Sequence, residues 1–149
     1  MAEAFGVAAG ALTVIDLTAK VISKCKHLIE TAHDAPKDLR HIFIEISSLK
    51  TTLESLQYLS AADSDFADAV RDLNEVDGAV KGCRRAVEQL AAELDGLSIS
   101  TNSQTAPGKR QMLKGSLKWC LKESKARKLL EEAMQHKATI SPALLGEVA

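Results

Sequence analysis

The sequence predicts an all-α fold, an antiparallel four- to five-helix bundle opened by a long amphipathic N-terminal helix. Three observations carry this. Every periodic segment repeats its apolar residues in steps of three and four. No stretch alternates with the period of two that a half-buried strand requires. Hydrophobic residues make up 46% of the 149, with a mean hydropathy of -0.05, enough to form a core rather than a disordered chain. A chain of this length suits one domain, which hides roughly two-thirds of its unfolded surface.

The first helix is expected from about Ala2 to Thr31. Val7, Val14, Val21 and Leu28 repeat every seven residues, and Ala11, Thr18, Cys25 and Ala32 follow each by four. Ile15, Ile22 and Ile29 widen this stripe, while Asp16, Lys20, Lys24, His27 and Glu30 lie mostly opposite. From Ala4 to Ile15 the chain is uncharged and rich in Ala and Gly. Each of Gly6 and Gly10 costs a helix about 1 kcal/mol relative to Ala, so their spacing of four marks a face for close backbone approach. That approach serves the bundle itself, an oligomer or a membrane.

Asp34, Ala35 and Pro36 mark a stop and a restart, since proline is tolerated in a helix's first turn. The second helix, from about Pro36 to Leu59, has the clearest seam: Leu39, Ile42, Ile46, Leu49, Leu53 and Leu56. Phe66, Ala69, Leu73, Val76, Val80, Cys83, Val87, Leu90 and Leu94 continue in one register. Asn74, Gly78 and Gly82 weaken the middle of this stretch, favouring a short helix near 64–76 and a longer one near 77–95. Residues 96–107, GLSISTNSQTAP, read as an exposed polar loop. The last helix is expected over 108–138, with Leu113, Leu117, Leu121, Leu129, Leu130, Ala133 and Met134 inward and a bend near Lys122–Ser124. Ser141-Pro142 is expected to end it, so that 1–140 forms the domain and 141–149 a tail or the start of a linker.

Charge and chemistry narrow the function. The formal charge is -1 and aromatics are 3%, which argues against nucleic acid as a partner. The charge is unevenly spread: residues 59–100 hold nine acids against four bases, and residues 106–138 hold nine bases against three acids. The basic stretch either balances its acidic neighbour or meets an anionic partner. Within it Arg110, Lys114, Lys118 and Lys122 step by four along one helix side. Cys25, Cys83 and Cys120 show no metal spacing and read as buried small hydrophobes in a reducing, intracellular setting. His27, His33, His41 and His136 read as surface or boundary residues rather than ligands. No nucleophile elbow, phosphate loop or metalloprotease motif occurs, so neither an enzyme, a cofactor, a metal nor a small-molecule substrate is expected. Glu3 stands where a signal peptide carries positive charge, and the resting chain is expected to be soluble.

The segments resemble one family. AEAFGVAAGALTVIDLTAKVISKCKHLIE, followed by DAPKDLRHIFIEISSLKTTLESLQ, is similar to the N-terminal HeLo-like domain of fungal STAND (NLR-like) receptors. GAVKGCRRAVEQLAAEL resembles its middle helix, and LKGSLKWCLKESKARKLLEEAMQHKATISPAL its Trp-containing basic segment and closing helix. The likeness covers nearly the whole chain and rests on order and spacing. Proline often follows the tryptophan in that pattern, whereas Cys120 follows Trp119 here.

The resemblance implies a helical bundle at the front of an immune-type receptor or signalling protein, cytoplasmic at rest. On activation it implies a homo-oligomer that attacks the plasma membrane through its N-terminal helix, causing regulated cell death, under the control of a downstream ATPase or amyloid-type module. Phe5, Gly6, Val7, Gly10, Leu12, Val14 and Ile15 would then be the inserting residues. Arg110, Lys114, Lys118 and Lys122 would dock on anionic lipid, each contributing roughly 1 kcal/mol. Trp119 is either a core residue or a headgroup anchor. The uncharged residues 4–15 cover about 18 Å of helix, short of a ~30 Å hydrocarbon core, so Asp16 would have to face water or the bilayer thin. The other expectation is a soluble bundle that recruits protein partners and never enters lipid.

Overall fold

A computed structural model of the chain describes the backbone of residues 2–31, 37–102 and 108–145, and the side chains of 6–30, 37, 39–95 and 124–145. The fold is an all-α bundle: α1 (Ala2–Thr31), α2 (Lys37–Ala62), α3 (Ser64–Ala69), a 3-10 turn (Arg71–Asn74), α4 (Ala79–Asn102) and α5 (Gly108–Leu144). The four long helices form a ring in which α1 packs on α2 and α4, and α5 packs on the same two. Consecutive long helices run in opposite directions. Lys24 of α1 pairs with Asp95 of α4 while Gly10 lies by Val80, so α1 and α4 are parallel. Gly82 lies by His136 and Glu93 by Lys125, so α5 runs back along α4.

The core follows the expected seams. Val7, Ala11, Val14, Thr18, Val21, Cys25 and Leu28 are buried along α1, and all six apolar seam residues of α2 are buried against them. Val80, Cys83, Val87, Leu90 and Leu94 complete it from α4. Ala126, Leu129, Leu130, Ala133, Ile140 and Ala143 do so from α5. Thr18 is accommodated because its hydroxyl donates to the Ile15 carbonyl at 2.7 Å. Leu113, Leu117 and Leu121 lie outside the described side chains.

The segment between α2 and α4 departs from the expected single register. Asp63 caps α3, its Oδ1 accepting from the N–H groups of Asp65 at 3.0 Å and Phe66 at 3.3 Å. The chain then turns at Val70, forms the 3-10 turn, and turns again over 75–78. Two breaks reset the helical phase, so the period drawn through 64–94 fails between them. Val76, expected in the core, is 75% exposed, with its carbonyl accepting from Arg85 Nη1 at 3.1 Å. Ala69 is also exposed and Ala67 is buried instead, whereas Leu73 packs partly buried on the core. A Cβ on Gly78 would stand 2.6 Å from the Leu73 carbonyl carbon, so only glycine fits this second turn.

Two helix ends also move. α4 continues to Asn102, through residues expected in a loop, because no proline intervenes before Pro107. α5 runs unbroken through Lys122–Ser124 and past Ser141-Pro142 to Leu144. Pro142 removes one hydrogen bond from the final turn. Burial of Ile140 and Ala143 on either side offsets that loss, and Ser141 Oγ donates to the Lys137 carbonyl at 2.9 Å. Residues 141–144 therefore belong to the closing helix of the bundle rather than to a tail.

Candidate functional site

α1 carries most of the residues that the sequence singles out, and the fold divides them among three surroundings. Val7 and Val14 are fully buried in the core, and Ile15 packs partly buried against it. Leu12 points away and is 50% exposed. Gly6 and Gly10 face the 3-10 turn, while the Phe5 side chain lies outside the described residues. In the resting bundle these seven positions do not make one exposed apolar surface.

The glycine face is a notch, and Asn74 fills it. A Cβ on Gly6 would lie 3.2 Å from Asn74 Nδ2, and one on Gly10 would overlap Asn74 Oδ1 and stand 3.4 Å from Val80 Cγ1. The absence of both side chains lets the last residue of the 3-10 turn lie against the α1 backbone. Asn74 Oδ1 is buried there without a hydrogen-bond partner. Ser60 Oγ, near the end of α2 that leads into α3, is the other such atom among the described side chains. An unpaired buried oxygen costs about 1–3 kcal/mol, so this end of the bundle is less well satisfied than its middle.

The opposite half of α1 is tied differently. Lys24 pairs with Asp95 of α4, and Lys125 of α5 pairs with Glu93 of α4 at 3.0 Å. Lys137 Nζ donates to Ser48 Oγ of α2 at 2.6 Å. In the N-terminal half Thr13 and Thr18 donate only to carbonyls of α1 itself. Among the described side chains, those fully buried there are Val, Ala and Thr, with Ile15 and Leu17 half-buried beside them, whereas α2 buries Leu and Ile along its length. At ~25 cal/mol per Å2 of apolar surface, smaller side chains hold this half of α1 less firmly.

α1 is also the described helix long and apolar enough to cross a membrane: Gly6–Glu30 holds an 18-residue window with a mean hydropathy of 1.4, a third of it buried in the fold. The helix is continuous to Thr31, so charge at Asp16 and Lys20 limits a span more than length does.

The other features are structural or lie outside view. Arg110, Lys114, Lys118, Lys122, Trp119 and Cys120 fall where α5 is helical but side chains are not described. Among the described bases, Lys125 is engaged with Glu93 and Lys137 with Ser48, so part of the basic stretch balances neighbours. Cys25 and Cys83 are buried free thiols, and burial pushes both up to about 12, which keeps them protonated and unreactive. Gly82 makes a second notch: an added Cβ would stand 2.7 Å from Cδ2 of His136 and closer to other ring atoms. From the sequence alone Asn74 reads only as a helix weakener and His136 as a surface or boundary residue. A residue paired with each glycine notch is invisible without the tertiary fold. Among the described residues no three His, Cys, Asp or Glu side chains stand grouped as a metal site requires. No family model, curated protein or solved structure matches the chain.

Proposed function

We propose that the chain is the N-terminal effector domain of a fungal STAND-type receptor, of the HeLo-like group. It rests in the cytoplasm as a closed bundle, and activation through a downstream module gathers several copies. α1 then leaves its place and enters the plasma membrane, whose permeabilisation kills the cell. The observation that carries this reading is the double character of α1: its length and composition suffice for a bilayer span despite Asp16 and Lys20, yet the described side chains buried in its N-terminal half are small and a glycine notch lies beside them. Freed glycines let copies of α1 pack closely in lipid. Asp16 in the hydrocarbon costs about 2.5 kcal/mol or more, so it faces a wet lumen between copies.

The burial of Val7, Val14, Val21 and Leu28 favours a second reading. A helix so placed is an ordinary core element, and the bundle then serves as a soluble module that recruits proteins.

Dye release from anionic liposomes separates the two. Three chains are compared at concentrations where light scattering shows oligomers: the intact chain, one lacking residues 2–15, which also removes the buried Val7, Ala11 and Val14, and the folded Leu12→Glu. Leu12 is exposed, so Leu12→Glu leaves the resting bundle intact while placing a charge in the inserting segment. The expected result is leakage by the intact chain, abolished by the deletion and reduced at least tenfold by Leu12→Glu. A folded, oligomeric intact chain that releases no dye retires the membrane reading and leaves the recruiting module.

A further inference from the structure

We propose that Asn74 is a release catch. It holds the N-terminal half of α1 closed in the resting bundle, and its unsatisfied oxygen makes that seam the first to open. This deepens the function proposed above and takes its biological purpose from it, but the catch is a property of the resting bundle alone.

The argument begins with what fills the notch. The face opened by Gly6 and Gly10 receives a polar side chain from the 3-10 turn rather than an apolar one. Leu has nearly the outline of Asn and would fill the same space without carrying a polar atom into it. Asn74 instead brings an oxygen that finds no donor, because the α1 amides it faces are already bonded within their helix. The contact is therefore close in shape and poor in chemistry. Separating α1 from the 3-10 turn returns Asn74 Oδ1 to water, recovering hydrogen bonds that the closed state lacks.

The surroundings direct the opening to this place. The 3-10 turn is four residues long, is flanked by turns at Val70 and at 75–78, and buries none of its own residues. On the other side of the seam, the described side chains that α1 buries fully at this end are small, Val7, Ala8, Ala11 and Val14, with Ile15 and Leu17 half-buried. On α1 itself, the Lys24–Asp95 pair and the larger buried side chain Leu28 lie toward the other end. Opening thus spreads from the N-terminus of α1 toward Thr18 and stops where the packing becomes heavier. Local opening of this kind is drawn from the least stable part of a fold.

Native-state hydrogen exchange of the intact chain, without lipid, tests the catch. In the wild type, amides over residues 10–18 of α1 are expected to be at least tenfold less protected than those of Ile46–Leu56 in α2. Asn74→Leu removes the unpaired oxygen while keeping the shape, so opening of residues 10–18 falls about tenfold and α2 protection is unchanged. Gly10→Ala has the opposite sign. Alanine favours helix and would slow exchange at an ordinary position, but here it displaces Asn74 and speeds exchange of the same amides at least threefold. That acceleration disappears when Asn74→Ala is added.

Equal protection of α1 and α2 in the wild type overturns the proposal, as does an Asn74→Leu chain whose α1 amides exchange no more slowly. Dye release plays no part in this readout. Loss of the membrane reading with these exchange results intact leaves the catch standing, and the reverse outcome retires the catch alone.

Discussion

Gly82 meets the ring of His136 with no room for a Cβ, its Cδ2 standing 2.7 Å from where one would be. The contact joins α4 to α5 and reverses an ordinary rule. Gly→Ala in a helix gains up to about 1 kcal/mol from propensity, whereas Gly82→Ala here forces the imidazole aside and costs about 1–3 kcal/mol, as overpacking does. In a His136→Ala background the same change becomes neutral or stabilising. Urea denaturation of the four proteins in that cycle measures the coupling, and additive effects would show that the ring moves away freely. Gly10 follows the same logic on α1, with Asn74 in the place of the imidazole. The spacing of Gly6 and Gly10 is legible in the sequence as a close-packing pair. Its partner is not, because Asn74 lies 64 positions beyond Gly10 and nothing local to either residue links them.

At the scale of elements, α2 and the segment after it show which patterns survive folding. The α2 seam is read from period alone because one uninterrupted helix keeps its phase from Leu39 to Leu56, and each of those residues is buried. The same count across 64–94 predicts Val80, Val87 and Leu90 correctly and Val76 wrongly, since phase is lost at Val70 and again over 75–78. The consequence is measurable. Leu53→Ala should cost about 2–5 kcal/mol, the range for a cavity in a packed core. Val76→Asp should change stability by no more than about 0.5 kcal/mol, as an exposed substitution does. Chemical denaturation distinguishes these, and a large loss at Val76 would place that turn inside the core. The ends of α4 and α5 were hidden for a different reason. Gly96 and Pro142 are local stop signals, and what carries α5 past Pro142 is the burial of Ile140 and Ala143 against other helices. Tertiary packing decides such boundaries, and local chemistry does not report it.

Over the whole molecule, charge is separated along the bundle. The α3 and turn segment, residues 63–77, holds six acids and one base, at the end where α1 begins. The first half of α5, with Arg110, Lys114, Lys118 and Lys122, belongs to the opposite end, since His136 already lies by Gly82 and Lys125 by Glu93. A bundle that approaches an anionic membrane does so by its basic end, with the acidic end repelled. That orientation holds the N-terminus of α1 away from the lipid by the length of a 30-residue helix, about 45 Å at 1.5 Å per residue. Under the proposed function, docking and insertion are then separate steps, because α1 would reach the bilayer only after leaving the bundle. The four bases at roughly 1 kcal/mol each amount to about a thousandfold in partitioning. Replacing all four with Gln should therefore weaken cosedimentation with anionic vesicles by up to ~10^3 and remove most of its salt dependence. Circular dichroism should be unchanged. Raising salt from low to physiological strength shortens the screening length to about 8 Å and should mimic the substitution in the wild type. Vesicle binding that ignores both salt and the four substitutions would mean that the acidic and basic stretches serve each other, and that the membrane is met by some other face.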